Sequence, residues 1–350
     1  MPDVHEAFEA VTAPPEPGAR ERQHRRQRRA VRTHRLGAMV VTAAIVIGIG
    51  IGVLALDDSG DDGAPGFVDD PTVQPAAPSE DDTYLLAIGD GVLTPFASPV
   101  DGSSYRFSPD GSRIAFSAVD AGGQQLVYRM DPDGTGITTL TQRGFLGEWA
   151  VEPDEPSWSP DGEWLVISGT NVSSGRRGLY FVSSDGYAPP RSGIGWPMGQ
   201  PSEPAWSPND RAIAFTAMVD DGPEIRIVRP EQYAGGSSIT TQGPPTTLLE
   251  RASSPSWSQD GTRIAFVATD TQLVSIADAD GTNARAITDV SSANPAWSPD
   301  GASIAYDDLS TGRISIYDVA TQEISYLDAE ACTQGWADAA TLLVTTECDA

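Results

Sequence analysis

The sequence predicts an all-β chain whose body, residues 83–350, is a six-bladed β-propeller closed by strands from both of its ends. Three observations carry this expectation. A ten-residue pattern recurs five times: "FSPDGSRIAF" at 107–116, "WSPDGEWLVI" at 158–167, "WSPNDRAIAF" at 206–215, "WSQDGTRIAF" at 257–266 and "WSPDGASIAY" at 297–306. The copies are spaced by 51, 48, 51 and 40 residues, a period that suits propeller blades rather than helical solenoids. Strand-like fragments of half a blade stand before the first copy and after the last.

Each copy reads as a β-hairpin. In Ser-Pro-Asp-Gly, Pro pre-sets the first turn position, Asp favours the second, and Gly accepts the left-handed conformation that ends a short loop. The following "RIAF" or "SIAY" alternates strictly, so Ile and the aromatic share one face and Ala takes the other. The Trp before the turn is a large apolar body suited to packing between blades, although it could also stack on a ligand. A third and a fourth strand follow each hairpin: "QLVYRM" and "GITTL" after the first copy, "RISIYDV" and "EISYLD" after the fifth. Four strands make a blade.

A degenerate sixth hairpin, "GWADAATLLVTT" at 335–346, has no third or fourth strand after it. "TYLLAI" (83–88) and "VLTPF" (92–96) have no hairpin before them. Joined, these fragments complete a sixth blade and remove the open sheet edges of an unclosed ring. Cys332 and Cys348 are symmetric about residue 340, so they are expected opposite one another in that hairpin, joined by a disulfide in an oxidising compartment.

Ahead of the body the chain divides into three segments: a basic tail (1–36), an apolar span (37–56) and an acidic Pro/Gly linker (57–82). Residues 20–35 hold eight Arg against one Glu. "GAMVVTAAIVIGIGIGVLAL" then runs for twenty residues without a charge, long enough to cross a bilayer as a helix. Arginines before it and "DDSGDD" after it put the N-terminus in the cytoplasm and the body outside. The basic region and the apolar run are both longer than a cleaved signal peptide uses, so a retained signal-anchor is expected. The linker has no apolar period and reads as a disordered stalk. In the tail, "DVHEAFEAVT" has the spacing of a short amphipathic helix, a candidate docking element for a cytoplasmic partner.

Composition excludes several chemistries. The chain has no Lys, and its three His (His5, His24, His34) all lie in the tail, so a Ser-His-Asp or Cys-His nucleophile, a Schiff base and a His-ligated metal have no residues to use in the body. From Asp57 onward 44 Asp and Glu face 14 Arg, and a surface this acidic repels nucleic-acid phosphates. No catalytic residue is assigned, and no cofactor is expected. Calcium is the one candidate ion. "DPDGTG" (131–136) and "DADGTN" (278–283) resemble the start of an oxygen-ligand loop but lack the closing Glu, and both also suit the turn between third and fourth strands.

The "WSPDGxxIAF" repeats, with Asp-Gly turns such as "MDPDGTG", resemble the WD-like repeats of TolB-type β-propellers over residues 83–350. "SPND", where Asp210 replaces Gly, and "SQDG", which lacks the Pro, depart from the pattern. Arg without Lys and abundant Ala, Asp and Gly resemble proteins of high-GC actinobacteria, whose membrane-anchored propellers share this tail-span-body order. The resemblance implies a module that binds a partner protein, a peptide or a glycan, and an envelope sensor or scaffold. A carboxylate- or calcium-dependent propeller enzyme acting on glycans or lactones is the alternative.

Two sets of residues are candidates for binding. Three places before the marker aromatic stand Ser104, Glu155, Glu203, Ser254, Asn294 and Thr333, all polar where a buried strand would be apolar. They are expected to ring one mouth of the central channel, as a solvated lining or as a site for a cation or polar ligand. The second and third repeats carry longer connections, in which Tyr187, Arg191, Trp196 and Tyr233 are the exposed-type residues suited to a partner.

Overall fold

The computed structural model describes residues 83–346, apart from 90, 97–101, 142–150, 172–174, 187–190, 193–198, 210–211 and 233–238. The expected tail, membrane span and linker lie outside the described residues. Among those described, six four-stranded antiparallel sheets and one two-stranded ribbon account for all the regular structure. Blade 1 comprises Gly102–Phe107, Ile114–Val119, Gln125–Met130 and Thr138–Thr139, and blades 2 to 5 repeat this order to Glu330. In blade 6, Cys332–Asp338 pairs with Thr341–Thr345, which pairs with Thr83–Ala87, which pairs with Leu93–Pro95. The two ends of the body therefore build one blade, as the orphan half-blades require. First strands of successive blades touch one another in a closed ring, with blade 6 against blade 1.

The repeated decapeptide explains the ring. Each turn is closed twice, by its backbone and by its buried Ser. Gly111 N–H donates to the Ser108 carbonyl at 2.8 Å, with Gly111 at φ 69°. The Ser108 hydroxyl donates to Asp110 (2.6 Å) and accepts from the Arg113 N–H (3.0 Å). Ser159, Ser258 and Ser298 make the same pair of bonds, and Ser207 makes them with Asn209 standing for Asp.

The alternating strand fills the seams between blades. Each seam has its own apolar cluster, six in all. Ile264 and Phe266 of blade 4 face blade 3, while Ala265 and Val267 face blade 5 and meet its Trp297. The small residue makes room for the next blade's indole, as Ala115 does for Trp158, Ala214 for Trp257 and Ala305 for Trp336. These indoles are 6–8% exposed, too buried to stack on a ligand. Three also lock to the preceding blade: Trp158 Nε1 donates to the Arg106 carbonyl (2.9 Å), Trp257 to Ala205 (3.1 Å) and Trp336 to Ala296 (2.9 Å).

The seam between blades 6 and 1 is built differently. Tyr105 stands where blades 2 to 5 have Pro, and Phe96, Tyr105, Phe116 and Tyr128 form a run of ring contacts with centroids 5.3–5.7 Å apart. A Cβ at Gly102 would come within 2.7 Å of the Tyr105 hydroxyl and 2.8 Å of Phe116. Gly102→Ala is therefore expected to cost about 1–2 kcal/mol by overpacking, read as a lower urea midpoint. An unchanged midpoint would show that the aromatic run can shift at no cost.

Cys332 is paired with Thr345, because bulges at Thr333/Gly335 and Trp336/Asp338 put extra residues into the first strand. Cys348 lies outside the described residues.

Candidate functional site

The six polar ring positions do occupy equivalent places, each at a β-bulge in the first strand of its blade. Ser104, Glu155, Glu203, Ser254 and Asn294 all have φ between 50° and 55°, the left-handed region. The next residue is Pro in four of these blades (Pro156, Pro204, Pro255, Pro295), which needs no ladder partner for a missing N–H. Blade 6 departs from the rule: its bulge is taken up at Gly335, at φ 150°. Glu155, Glu203, Ser104 and Ser254 are half-buried, Asn294 is exposed and Thr333 is buried.

The bulge serves to turn a backbone N–H across the seam. Glu203 N–H donates to Glu155 Oε2 of the preceding blade at 2.5 Å, and Ser168 of blade 2 donates to the same oxygen at 3.3 Å. Glu203 repeats the arrangement one blade on. It accepts from the Ser254 N–H (2.9 Å), the Ser254 hydroxyl (2.9 Å) and the Thr216 hydroxyl (2.6 Å). Arg177 lies 3.8 Å from Glu155 and ties blade 2 to blade 3 by donating to the Ser168 hydroxyl and the Pro201 carbonyl, both at 2.8 Å. The two ring carboxylates are thus clasps between blades 2, 3 and 4.

Between blades 5 and 6 the clasp comes from a residue outside the sequence-derived ring. Asn294 occupies the ring position and Asp307 the second-strand position that Ser117, Ser168 and Thr216 hold elsewhere. Asp307 accepts from the Thr333 N–H of blade 6 and from Asn294 Nδ2, both at 2.8 Å. The acid has moved from one strand of the hairpin to the other, and the clasp survives. Asp307 is only 4% exposed, and burial raises its carboxyl above the ordinary value despite these hydrogen bonds.

The turn acids are shifted the other way. Asp110 and Asp260 are pulled down to about 2, chiefly by the hydroxyls of Ser108 and Ser258 and then by backbone N–H groups. Asp133, Asp280 and Asp300 are lowered by the same kind of bonds. These groups stabilise the fold above the ordinary carboxylate pKa of about 4 and lose that contribution as pH falls through their lowered values. Asp307 has the opposite sign, because the folded chain takes up its proton first. The thermal midpoint is therefore expected to fall from pH 4 towards 2. The wild type should gain relative to Asp307→Asn as pH is lowered. A difference that moves the other way would contradict the buried-carboxylate assignment.

The two calcium-like segments are closed by their own side chains. Asp133 Oδ1 accepts from the Thr135 N–H and hydroxyl, Asp280 Oδ1 from the Thr282 N–H and hydroxyl, and Asn283 donates to Asp278. Among the described residues no group of three or more His, Cys, Asp or Glu is placed to hold a metal ion.

Of the loop residues, Tyr187, Trp196 and Tyr233 lie outside the described residues, and only the backbone of Arg191 is placed, paired with Phe181.

Closed six-blade geometry with this inner hairpin can be set against known proteins. No family model matches the chain. Over 162 residues, 46% of this chain, it is 29% identical to a protein TolB homolog of Chlorobium luteolum. The solved structure of a protein described as TolB from Agrobacterium tumefaciens superposes with a TM-score of 0.57 at 18% identity, covering 75% of this chain and 96% of that one. The fold is that of a TolB-like propeller. TolB from Acinetobacter baumannii agrees, with a TM-score of 0.51 at 18% identity over 76% of this chain and 63% of the other. The match to the Chlorobium TolB homolog spans 33% of that relative's length.

Proposed function

We propose that this TolB-like propeller is a binding module held outside the cytoplasmic membrane, and that it recognises a protein partner rather than transforming a substrate. The observation that carries the reading is the state of the mouth: Glu155, Glu203 and Asp307, the acids best placed to serve a reaction there, are committed to holding neighbouring blades. A scaffold braced in this way suits recognition by its ends and loops. The span at 37–56 anchors the chain with its N-terminus in the cytoplasm, and the linker holds the propeller clear of the lipid. The amphipathic start of the tail offers a second, cytoplasmic contact, so the chain acts as an envelope sensor or scaffold. A disulfide between Cys332 and Cys348, formed outside the membrane, ties down the C-terminal hairpin.

A pull-down from membranes with full-length and tail-deleted protein tests this reading. Recovery of the same extracytoplasmic protein by both forms is expected. Recovery of no protein by either form, together with turnover of a glycan or lactone library, would overturn it.

A further inference from the structure

The second strands of the repeats end at the channel-mouth end of the propeller. Counting from the Ile or Leu that opens the alternating segment, the sixth residue is Val119, Thr170, Met218, Thr269 and Leu309 in blades 1 to 5. The apolar members fall in alternate blades and are 46%, 51% and 55% exposed. Half of the large apolar side chains exposed among the described residues thus share one repeat position at one end of the molecule. Packing does not require them, because the residues before them on each strand already fill the seams, and Thr170 and Thr269 show that the position accepts a polar side chain.

We propose that this end of the propeller docks a cationic segment of a partner protein, whose apolar side chains seat on Val119, Met218 and Leu309. The inference deepens the binding reading above and rests on it. Charge selects the occupant. Among the described residues, the exposed acids at this end are Asp220 and Asp221 beside Met218, Glu250, Asp270 in the adjacent blade and Asp289 beyond it, against Arg251 and Arg313. Behind them stand Glu155, with Arg177 beside it, Glu203 and the buried Asp307. Apolar side chains alone would also suit a bilayer, but these acids would repel an anionic lipid surface. A second copy of the chain would set like charges against each other. A Lys- and Arg-bearing segment with interspersed apolar residues satisfies both features.

The test places a photo-cross-linking amino acid at position 119, 218 or 309 of the full-length protein in its native membranes, with positions 92 and 326 as exposed controls at other places on the propeller. The cross-linked segment is then made as a synthetic peptide, and its binding is measured. Cross-links from 119, 218 and 309 to a segment of net positive charge are expected. Binding of that peptide should weaken about tenfold in Val119→Ser/Met218→Ser/Leu309→Ser, whose thermal midpoint is unchanged, and should weaken again at high salt. Protein cross-links only from 92 or 326 would overturn this inference and leave the binding reading standing. Lipid, a second copy of the chain or an acidic segment captured at the three positions would also overturn it. Capture of no protein from any position would remove both.

Discussion

Trp257→Ala lowers the unfolding free energy by about 3–5 kcal/mol, the largest loss expected from any single substitution in the propeller. The indole is 8% exposed and stands between blades 3 and 4, against Ala212, Ala214 and Ile225 of the preceding blade. Truncation removes that apolar contact and leaves a cavity that the two stiff sheets cannot close. It also leaves the Ala205 carbonyl without its indole donor. Trp257→Phe separates the two effects, because it keeps an aromatic body and loses only the N–H, at about 1 kcal/mol. Urea unfolding followed by circular dichroism measures both. A loss below 1 kcal/mol for the alanine variant would mean that the Trp does not wedge the seam.

Glu203→Ala costs about 2–3 kcal/mol, because three donors lose one acceptor: the Ser254 N–H, the Ser254 hydroxyl and the Thr216 hydroxyl. Two of these lie in the next blade, so the deficit falls on the seam between blades 3 and 4. Glu203→Gln keeps an acceptor oxygen but loses the charge and turns the other oxygen into a donor, so it should lie between wild type and alanine. Hydrogen exchange should show faster opening of Ala252–Trp257 than of the distant Gly102–Phe107 in the alanine variant. Equal protection in the two strands would contradict the clasp.

Much of this architecture is legible in the sequence because it is written in local chemistry. Ser-Pro-Asp-Gly dictates its own turn, and the Ile-Ala-Phe alternation states which face is thick and which makes room for a Trp. The orphan strands at 83–88 and 92–96 announce the closure of blade 6. The polar ring was legible as a position, but its conformation was not: nothing in Ser, Glu or Asn reports a left-handed backbone, and the Pro that follows in four blades is the only trace. Asp307 is not legible along the strand that carries the ring, because its clasp uses the neighbouring strand. Comparing "IAYDD" with "IAFSA", "LVISG" and "IAFTA" shows an acid where the other copies have a small residue. The offset that sets Cys332 opposite Thr345 comes from bulges in Cys332–Asp338, which residue spacing does not show.

The central claim is that Glu155, Glu203 and Asp307 hold neighbouring blades together and are not a site for a cation. Thermal unfolding of wild type and of a Glu155→Gln, Glu203→Gln double variant, each with and without calcium, tests it most directly. The claim predicts a lower midpoint for the double variant without calcium, and no shift on adding calcium to either protein. A calcium-dependent rise in the wild type that the double variant lacks, with equal midpoints in the absence of the ion, would contradict it.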